Sequence, residues 1–233
     1  MGDKMKDFLL IIPARSGSKG IKSKNIVELN GHPLIHYTIK VAKKLKVMKL
    51  IDEIYISTDS EEIKQICESL GVKVAALRDK KLSTDKAKTV DLIRAIINQH
   101  STENIYFKHI LILQPTSPLR TFDQVSESIR MYLDHNSNSL ISVCQDSSLS
   151  DDILYFRNGL YLTPKNITHN SGKRRQENKV SHIRNGAIYI VKTEYFIKYN
   201  SIICDKPLGF VMDKITSVNI DEHIDLEIAK RLL

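Results

Sequence analysis

Long apolar runs are absent from this sequence of 233 residues, and cysteine is scarce. No stretch approaches the roughly 18 apolar residues that a membrane-spanning helix needs. The first residues, MGDKMKD, lack the apolar centre of a secretory signal, so the sequence predicts a cytoplasmic protein with no membrane partner. Cys67, Cys144 and Cys204 lie far apart and form no CxxC pair, which favours reduced, structural thiols over a disulfide framework.

Signatures of metal, dinucleotide and nucleic-acid binding are also missing. The eight histidines show no HExxH or other metal-binding spacing, and neither the GxGxxG pattern nor the P-loop pattern is present. The formal net charge of +8 suggests a nucleic-acid partner, yet the basic residues are scattered and aromatic residues make up only 6% of the chain. Because a small polyanionic substrate explains the local basic clusters equally well, we expect no nucleic-acid partner.

What the sequence does contain is an apolar stretch followed by a basic, glycine-containing loop, FLLIIPARSGSKGIKSKNI. Five consecutive apolar residues, 8–12, predict a strand buried on both faces. In the loop, Gly17 and Gly20 allow backbone amides to approach an anion closely. Its cations, which can neutralise several phosphate oxygens together, are Arg15, Lys19, Lys22 and Lys24. The loop therefore predicts a site for a nucleotide triphosphate, with a solvated basic loop as the alternative.

Strands and helices alternate through the first 145 residues, which predicts a mostly parallel sheet covered by helices. Predicted strands span residues 8–12, 53–58, 72–75, 109–113 and 139–144, and predicted helices start after Gly31, at Asp59 or Ser60, at Thr89 and at Thr121. Thr121 and Gln124 form a capping-box pattern, and Gly71 is expected to end the second helix.

The alternation breaks at residue 146. Asn158-Gly159, between two short apolar stretches, predicts a β-hairpin. Further strands are predicted at 187–191, 208–212 and 217–220, and a final amphipathic helix at 221–233. We therefore predict a core formed by residues 1–145 and 182–233, with residues 146–181 inserted between its two parts.

Four stretches of the sequence resemble the motifs of the CMP-sialic acid synthetases, or N-acylneuraminate cytidylyltransferases. The loop after the first strand fits the pattern IPARxGSKGxxxKN, with Arg15, Ser18, Lys19, Gly20, Lys24 and Asn25 in place. The other stretches are LQPTSPLR at 113–120, RRQ at 174–176 followed by NGAIYI at 185–190, and VNIDEHIDL at 218–226. The resemblance therefore covers most of the chain, from about residue 11 to residue 226.

The resemblance implies an α/β fold, namely a Rossmann-like three-layer nucleotidyltransferase core with a mostly parallel sheet. It implies a homodimer formed through a small inserted dimerisation region, residues 146–181, which would also contact the sugar. The reaction would require Mg²⁺ and join CTP to an acidic nine-carbon sugar, with release of pyrophosphate. In it, the anomeric hydroxyl of the sugar would attack the α-phosphate in line with the leaving pyrophosphate.

The resemblance also implies which residues form the site. The nucleotide would be bound by Arg15, Ser18, Lys19, Lys24, Asn25, Arg78, Ala87 and Thr89, of which Lys24, Arg15 and Lys19 would be catalytic. The sugar would be bound by Gln114, Arg175, Asn185 and Tyr189, and the metal by Asp221 and Asn219. These residue types suit the chemistry, because lysines offset phosphate charge and an arginine can grip a carboxylate through two hydrogen bonds.

Two departures from the family pattern leave details open. Where the family has two aspartates, IDID, this chain has Asn219 and Asp221, and we expect weaker Mg²⁺ binding because an amide oxygen brings no charge. Asn219→Asp should then lower the Mg²⁺ concentration needed for half-maximal rate; an unchanged requirement would remove Asn219 from the site. The acidic segment 146–152 stands where many sialic acid enzymes carry a lysine, so sialic, legionaminic and pseudaminic acids are all candidate substrates.

Other interpretations of the same residues stay open at this stage. Asp221 and Asp59 stand at positions typical of helix caps, Gln114 fits an ordinary strand-end amide, and Arg174 and Arg175 fit a surface charge run. The alternative functions are a synthetase for CMP-3-deoxy-octulosonic acid and a catalytically silent relative that binds nucleotide. A nucleic-acid-binding module is a further alternative, and a steep salt dependence of RNA binding would identify it.

Overall fold

Residues 4–18, 20–84, 87–146, 155–158, 160–165 and 180–233 are described by the computed structural model. The strands are β1 (Lys4–Pro13), β2 (Glu28–Leu29), β3 (His32–Pro33), β4 (Glu53–Ser57), β5 (Ile105–Ile112), β6 (Ser139–Asp146), β7 (Tyr155–Asn158), β8 (Tyr161–Pro164), β9 (Ser181–Lys192) and β10 (Leu208–Met212). The helices are α1 (Ile35–Val47), α2 (Glu61–Ser69), α3 (Thr89–Thr102), α4 (Phe122–Asp134), α5 (Thr193–Tyr199) and α6 (His223–Leu232). No helix in these ranges has the length and apolar character needed to cross a membrane.

Within the described residues, six strands form one sheet in the order β10-β6-β9-β5-β1-β4. β1 pairs in parallel with β4 and β5, and β10 pairs in parallel with β6. β9 runs antiparallel to both of its neighbours, β5 and β6. The prediction of a mostly parallel sheet is therefore confirmed.

Helices cover both faces of β1. Leu10 and Ile12 lie in a core shared with α1, α2 and α4, whereas Leu9 and Ile11 lie in a core shared with α3 and α5. All four side chains are at most 1% exposed. Because successive strand residues point to opposite faces, a strand covered on both sides needs an uninterrupted apolar run. The predicted three-layer α/β core is confirmed.

Helix ends follow local signals in the sequence. Thr121 and Gln124 form the predicted capping box at the start of α4. Ser60, and not Asp59, caps α2 by accepting a hydrogen bond from the backbone N–H of Ile63. Gly71 follows the end of α2 at φ +81°, a left-handed conformation that glycine adopts without strain.

Several predicted boundaries are corrected. Residues 72–75 were expected to pair as a strand, but they belong to no strand, and Val72 and Val74 are buried by packing on the core instead. Residues 217–220 form no strand either, because the chain turns there and the Ile220 N–H donates to the Thr116 carbonyl. The first helix begins only at Ile35, since His32 and Pro33 form β3 against β2.

The C-terminal helix also differs from its predicted start. α6 begins at His223, with a capping box between Glu222 and Asp225, so Asp221 is not its cap. α5 follows β9 without a loop and has no counterpart among the predicted helices, because seven residues are too few to show a helical period.

The predicted hairpin is present at the expected place. β7 and β8 pair antiparallel on either side of residue 159, which lies outside the described residues. β6 and β9 remain paired as far as Asp146 and Ser181, so the chain leaves the sheet and returns to it at neighbouring positions. Residues 147–154 and 166–179 lie outside the described residues. The boundaries of the insertion and its part in dimerisation therefore stay predictions.

Candidate active site

A cleft of about 770 Å³ opens at the carboxyl ends of β1 and β5, where open α/β sheets bind ligands. Four segments line it: the loop after β1, residues 78–89, the loop after β5, and the residues just before α6. Of the predicted site residues, the cleft lining includes Arg15, Ser18, Lys24, Asn25, Arg78, Ala87, Thr89, Gln114, Asn219 and Asp221. The fold therefore brings together residues from three of the four sequence motifs.

The glycine-containing loop touches the segment before α6. A Cβ on Gly20 would overlap the backbone carbonyl oxygen of Asp221, far inside the 3.0 Å below which real Cβ contacts essentially do not occur. Nothing lies within 4 Å of a Cβ built on Gly17. Of these two glycines, only Gly20 stands where the close approach of two backbones excludes a side chain.

The loop is held in shape by two polar side chains. Asn25 is buried and donates from Nδ2 to the carbonyl oxygen of Arg15, at 2.8 Å. The carboxylate of Asp59 accepts hydrogen bonds from the Ser16 N–H at 2.7 Å and from the Ser16 Oγ at 2.9 Å. Sequence reasoning missed this role of Asp59, because its place before a helix is equally typical of a cap. The adjacent Ser60 could have revealed this role, because it supplies the helix cap and leaves the Asp59 carboxylate for another contact.

Arg78 binds the last residue of β4, Ser57. Its Nε donates to Ser57 Oγ at 2.9 Å and its Nη2 donates to the Ser57 carbonyl oxygen at 2.5 Å. Burial lowers the pKa of Arg78, the negative charge of Asp59 opposes that shift, and the positive charge of Arg15 adds to it. Asp59 and Arg15 therefore lie close enough to Arg78 to affect its charge.

The cleft lining also contains an ion pair between two predicted site residues. Lys24 Nζ lies 2.8 Å from Asp221 Oδ1, with the lysine side chain 15% exposed and the aspartate side chain 66% exposed. Asn219 donates from Nδ2 to the other carboxylate oxygen, Asp221 Oδ2, at 2.6 Å. The Asn219 Oδ1 atom is buried and has no hydrogen-bond partner among the described residues. Asp225 accepts from the N–H groups of Asp221 and Glu222, which fixes the backbone here.

Arg120 supports the loop that contains Gln114. Its guanidinium is 3% exposed and donates to the carbonyl oxygens of Gln114 and Ala187, at 3.1 and 2.8 Å, and to Thr38 Oγ1 at 2.8 Å. Burial lowers the pKa of Arg120 to about 9. This arginine belongs to the LQPTSPLR motif, but only the structure assigns it a role, which is to join the β5 loop to β9 and α1.

Two predicted sugar-binding residues lie behind the cleft lining. Asn185 accepts from Ser142 Oγ at 2.6 Å and donates to Ser217 Oγ at 2.9 Å. Tyr189 is 8% exposed and packs in the core on the α3 side of the sheet, and this burial raises its pKa. A Cβ on Gly186 would lie 3.3 Å from Gln114 Oε1 and 3.9 Å from the Tyr189 hydroxyl, so both side chains adjoin this glycine. Sugar contacts by Asn185 and Tyr189 stay predictions.

Two further predicted residues, Lys19 and Arg175, lie outside the described residues. Among the residues that the structure does describe, no group of three or more His, Cys, Asp and Glu side chains could hold a metal ion. Mg²⁺ needs fewer protein ligands, because it keeps several waters and binds substrate phosphates. The exposed carboxylate of Asp221 fits such a site, whereas Asn219 faces it with its NH₂ group and its amide oxygen is buried.

Comparison with known proteins agrees with these motifs. A family model described as cytidylyltransferase matches residues 9–192. An N-acylneuraminate cytidylyltransferase of Escherichia coli O18:K1:H7 is 30% identical over 95% of this chain, and the chain spans about half, 51%, of that relative. A pseudaminic acid cytidylyltransferase of Campylobacter jejuni serotype O:2 is 29% identical, over 96% of this chain and 95% of the relative.

A solved structure shares the fold at low identity. It is a CMP:2-keto-3-deoxy-manno-octonic acid synthetase complexed with CTP, with a TM-score of 0.70 and 15% identity over 97% of this chain and 98% of that one. The family model, in contrast, covers well over half of the chain, including the glycine loop and the Gln114 loop. The resemblance seen in the motifs is confirmed, and the chain belongs to the cytidylyltransferase family.

Proposed function

We propose that this protein transfers CMP from CTP to a nonulosonic acid and releases pyrophosphate. One observation carries the proposal: a single cleft is lined by the glycine loop, the Gln114 loop and Asp221, which come from distant parts of the chain. Membership of the cytidylyltransferase family supports the reaction type. Relatives named for N-acylneuraminate and for pseudaminic acid support the class of sugar.

The basic side of the cleft would bind the triphosphate. Arg15 and Lys24, together with Lys19, would offset the charge that builds on the phosphate oxygens. Ser18 and Asn25 belong to the same loop, and Asn25 already fixes its shape through the Arg15 carbonyl. Three further residues of the cleft lining, Arg78, Ala87 and Thr89, would border the cytosine and ribose.

The reaction needs positioning more than covalent catalysis. The anomeric hydroxyl of the sugar would attack the α-phosphorus, a new C–O–P linkage would form, and the bond to pyrophosphate would break as the hydroxyl proton is lost to water. Such a step is accelerated mainly by alignment of the two substrates and by stabilisation of charge. Asp221 and Asn219 would hold Mg²⁺, which supplies additional positive charge beside the phosphates when bound.

The sugar would lie near the end of β5. Gln114 lines the cleft, and its backbone carbonyl is fixed by Arg120. Arg175 would contact the sugar carboxylate, and Asn185 and Tyr189 would shape the pocket behind Gln114. We include in the proposal a cytoplasmic homodimer formed through residues 146–181.

A panel of acidic sugars tests this function directly. The purified protein is mixed with CTP, Mg²⁺ and sialic, legionaminic, pseudaminic or 3-deoxy-octulosonic acid, and pyrophosphate release is followed. We expect turnover with at least one nine-carbon acid, and a loss of about 100-fold or more in Lys24→Ala if this lysine stabilises the transition state. Turnover with 3-deoxy-octulosonic acid alone would favour the first alternative. CTP binding without turnover on any sugar would favour a catalytically silent relative.

A further inference from the structure

Both oxygens of the Asp221 carboxylate are already occupied by other side chains of the protein. Lys24 Nζ lies 2.8 Å from Oδ1, and Asn219 Nδ2 lies 2.6 Å from Oδ2. A lysine ammonium and an amide NH₂ are donors only, and each takes one lone pair of its carboxylate oxygen. A divalent cation that uses a remaining lone pair would therefore stand close to the positive charge of Lys24. In this arrangement Asp221 is neutralised by a neighbouring cation.

Asn219 is turned the wrong way for a metal ligand. Its NH₂ group faces the carboxylate, while its Oδ1 atom is buried and has no partner in the described part of the chain. For the amide oxygen to join Asp221 in binding a divalent cation, the amide must rotate. Because Oδ1 makes no hydrogen bond among the described residues, the rotation breaks one hydrogen bond there, the bond from Nδ2 to Asp221, and moves the NH₂ group into the buried position.

We propose that the Lys24–Asp221 ion pair sets the order in which nucleotide and cation bind, an inference that rests on the proposed function. Without nucleotide, Lys24 occupies Asp221 and keeps divalent cations away. A triphosphate carries several negative charges, and it draws the flexible lysine from the single carboxylate. Asp221 is then free to bind the cation, with Asn219 rotated towards it.

Electrostatics gives the size of the effect. When a doubly charged cation and the lysine ammonium stand about 5 Å apart in water, their repulsion weakens cation binding roughly tenfold. The bulk dielectric sets a lower bound on this repulsion, because the Asp221 side chain is 66% exposed but the Lys24 side chain is only 15% exposed. Removing the charge of Lys24 removes this repulsion, so it should strengthen cation binding by the same factor in the absence of nucleotide.

The test measures Mn²⁺ binding to the nucleotide-free protein by electron paramagnetic resonance. We expect weak binding to the wild type and binding roughly tenfold tighter to Lys24→Met, which keeps an unbranched apolar side chain but removes the ammonium group and its charge. Adding Asp221→Asn to Lys24→Met should abolish this gain. Lys22→Met is the matched control, because Lys22 is an exposed lysine of the same loop outside the cleft lining. It should leave Mn²⁺ affinity unchanged.

Equal Mn²⁺ affinity in the wild type and Lys24→Met would overturn the proposal, and so would an equal gain in Lys22→Met. Lys24→Gln provides a second variant in case Lys24→Met does not fold, as judged by circular dichroism, and it carries the same expectation. Pyrophosphate release by the wild type is measured separately. A wild type that turns over, but whose Mn²⁺ affinity does not depend on Lys24, would refute the binding order and leave the proposed function standing.

Discussion

Gly20→Ala perturbs the contact between the glycine loop and the segment before α6. The added methyl group would overlap the Asp221 carbonyl oxygen, and backbone atoms on both sides leave no flexible side chain to give way. To reach an ordinary contact, one of the two segments must move by about 1 Å, and overpacking of this kind costs about 1–3 kcal/mol of stability. For a domain of this size, each kcal/mol lowers Tm by about 2–4 °C.

The same displacement should damage function beyond its cost in stability. A misplacement of about 1 Å can lower turnover by about 100-fold when it disturbs aligned reactants. Lys24 lies in the moved loop and Asp221 in the opposing segment, so both predicted roles depend on their separation. We therefore expect kcat/KM to fall by about 100-fold at a temperature where the variant is still folded.

Thermal unfolding and pyrophosphate release test this prediction together. Gly17→Ala is the matched control for stability, because a Cβ there meets nothing within 4 Å and its φ lies outside the left-handed region. Its Tm should stay constant or rise slightly, since alanine lowers the conformational entropy of the unfolded chain, which can stabilise the folded state by about 0.4–1 kcal/mol. A Gly20→Ala variant with wild-type Tm and wild-type turnover would refute the argument from close approach.

Two further predictions concern Asp59, which holds the glycine loop, and His100, which lies outside the cleft lining. Asp59→Ala removes both hydrogen-bond acceptors of Ser16 and should weaken CTP binding about tenfold, as measured by calorimetry. Hydrogen bonds to a charged group contribute about 1.5–3 kcal/mol, and their loss outweighs the gain from removing one screened negative charge near the bound triphosphate. Ser60→Ala should instead cost about 1 kcal/mol of stability and leave CTP affinity unchanged; the opposite pattern would restore Asp59 as the cap. The last prediction concerns His100, whose Nε2 lies 2.9 Å from Glu53 Oε1. Burial lowers the pKa of His100, but the hydrogen bonds to Glu53 and to a backbone carbonyl raise this pKa overall. The hydrogen bond from His100 lowers the pKa of Glu53 to about 2. The stabilising charge pair is therefore complete between about pH 4.5 and pH 6.5, the ordinary pKa values of Glu and His, and it is lost as pH rises through the raised folded-state pKa of His100. His100→Gln should then destabilise more at pH 5.5 than at pH 8 in urea unfolding; a difference that grows with pH would contradict this assignment.

The fold was largely predictable because its signals are local. A five-residue apolar run specifies a strand covered on both faces, and Thr121 with Gln124 specifies a helix start, whatever the rest of the chain does. The strand predicted at 72–75 failed for a reason that local sequence cannot contain. Val72 and Val74 are buried as an apolar strand would be, but pairing depends on how the segment lies beside β4.

The residue types of the site were also readable from the sequence, whereas their partners were not. The motifs predicted Lys24 and Asp221 as separate ligands of triphosphate and metal, yet folding brings them within 2.8 Å of each other across 197 positions of sequence. In the same way, Asp59 binds Ser16 from 43 positions away, and Arg120 joins Gln114 to Ala187 and Thr38. By itself, the sequence determined the layered α/β core and the chemical character of the loop after β1, because apolar runs, glycines and cations act where they stand. Only the tertiary structure decided which charge meets which, since such contacts depend on the distance between groups that the chain keeps far apart.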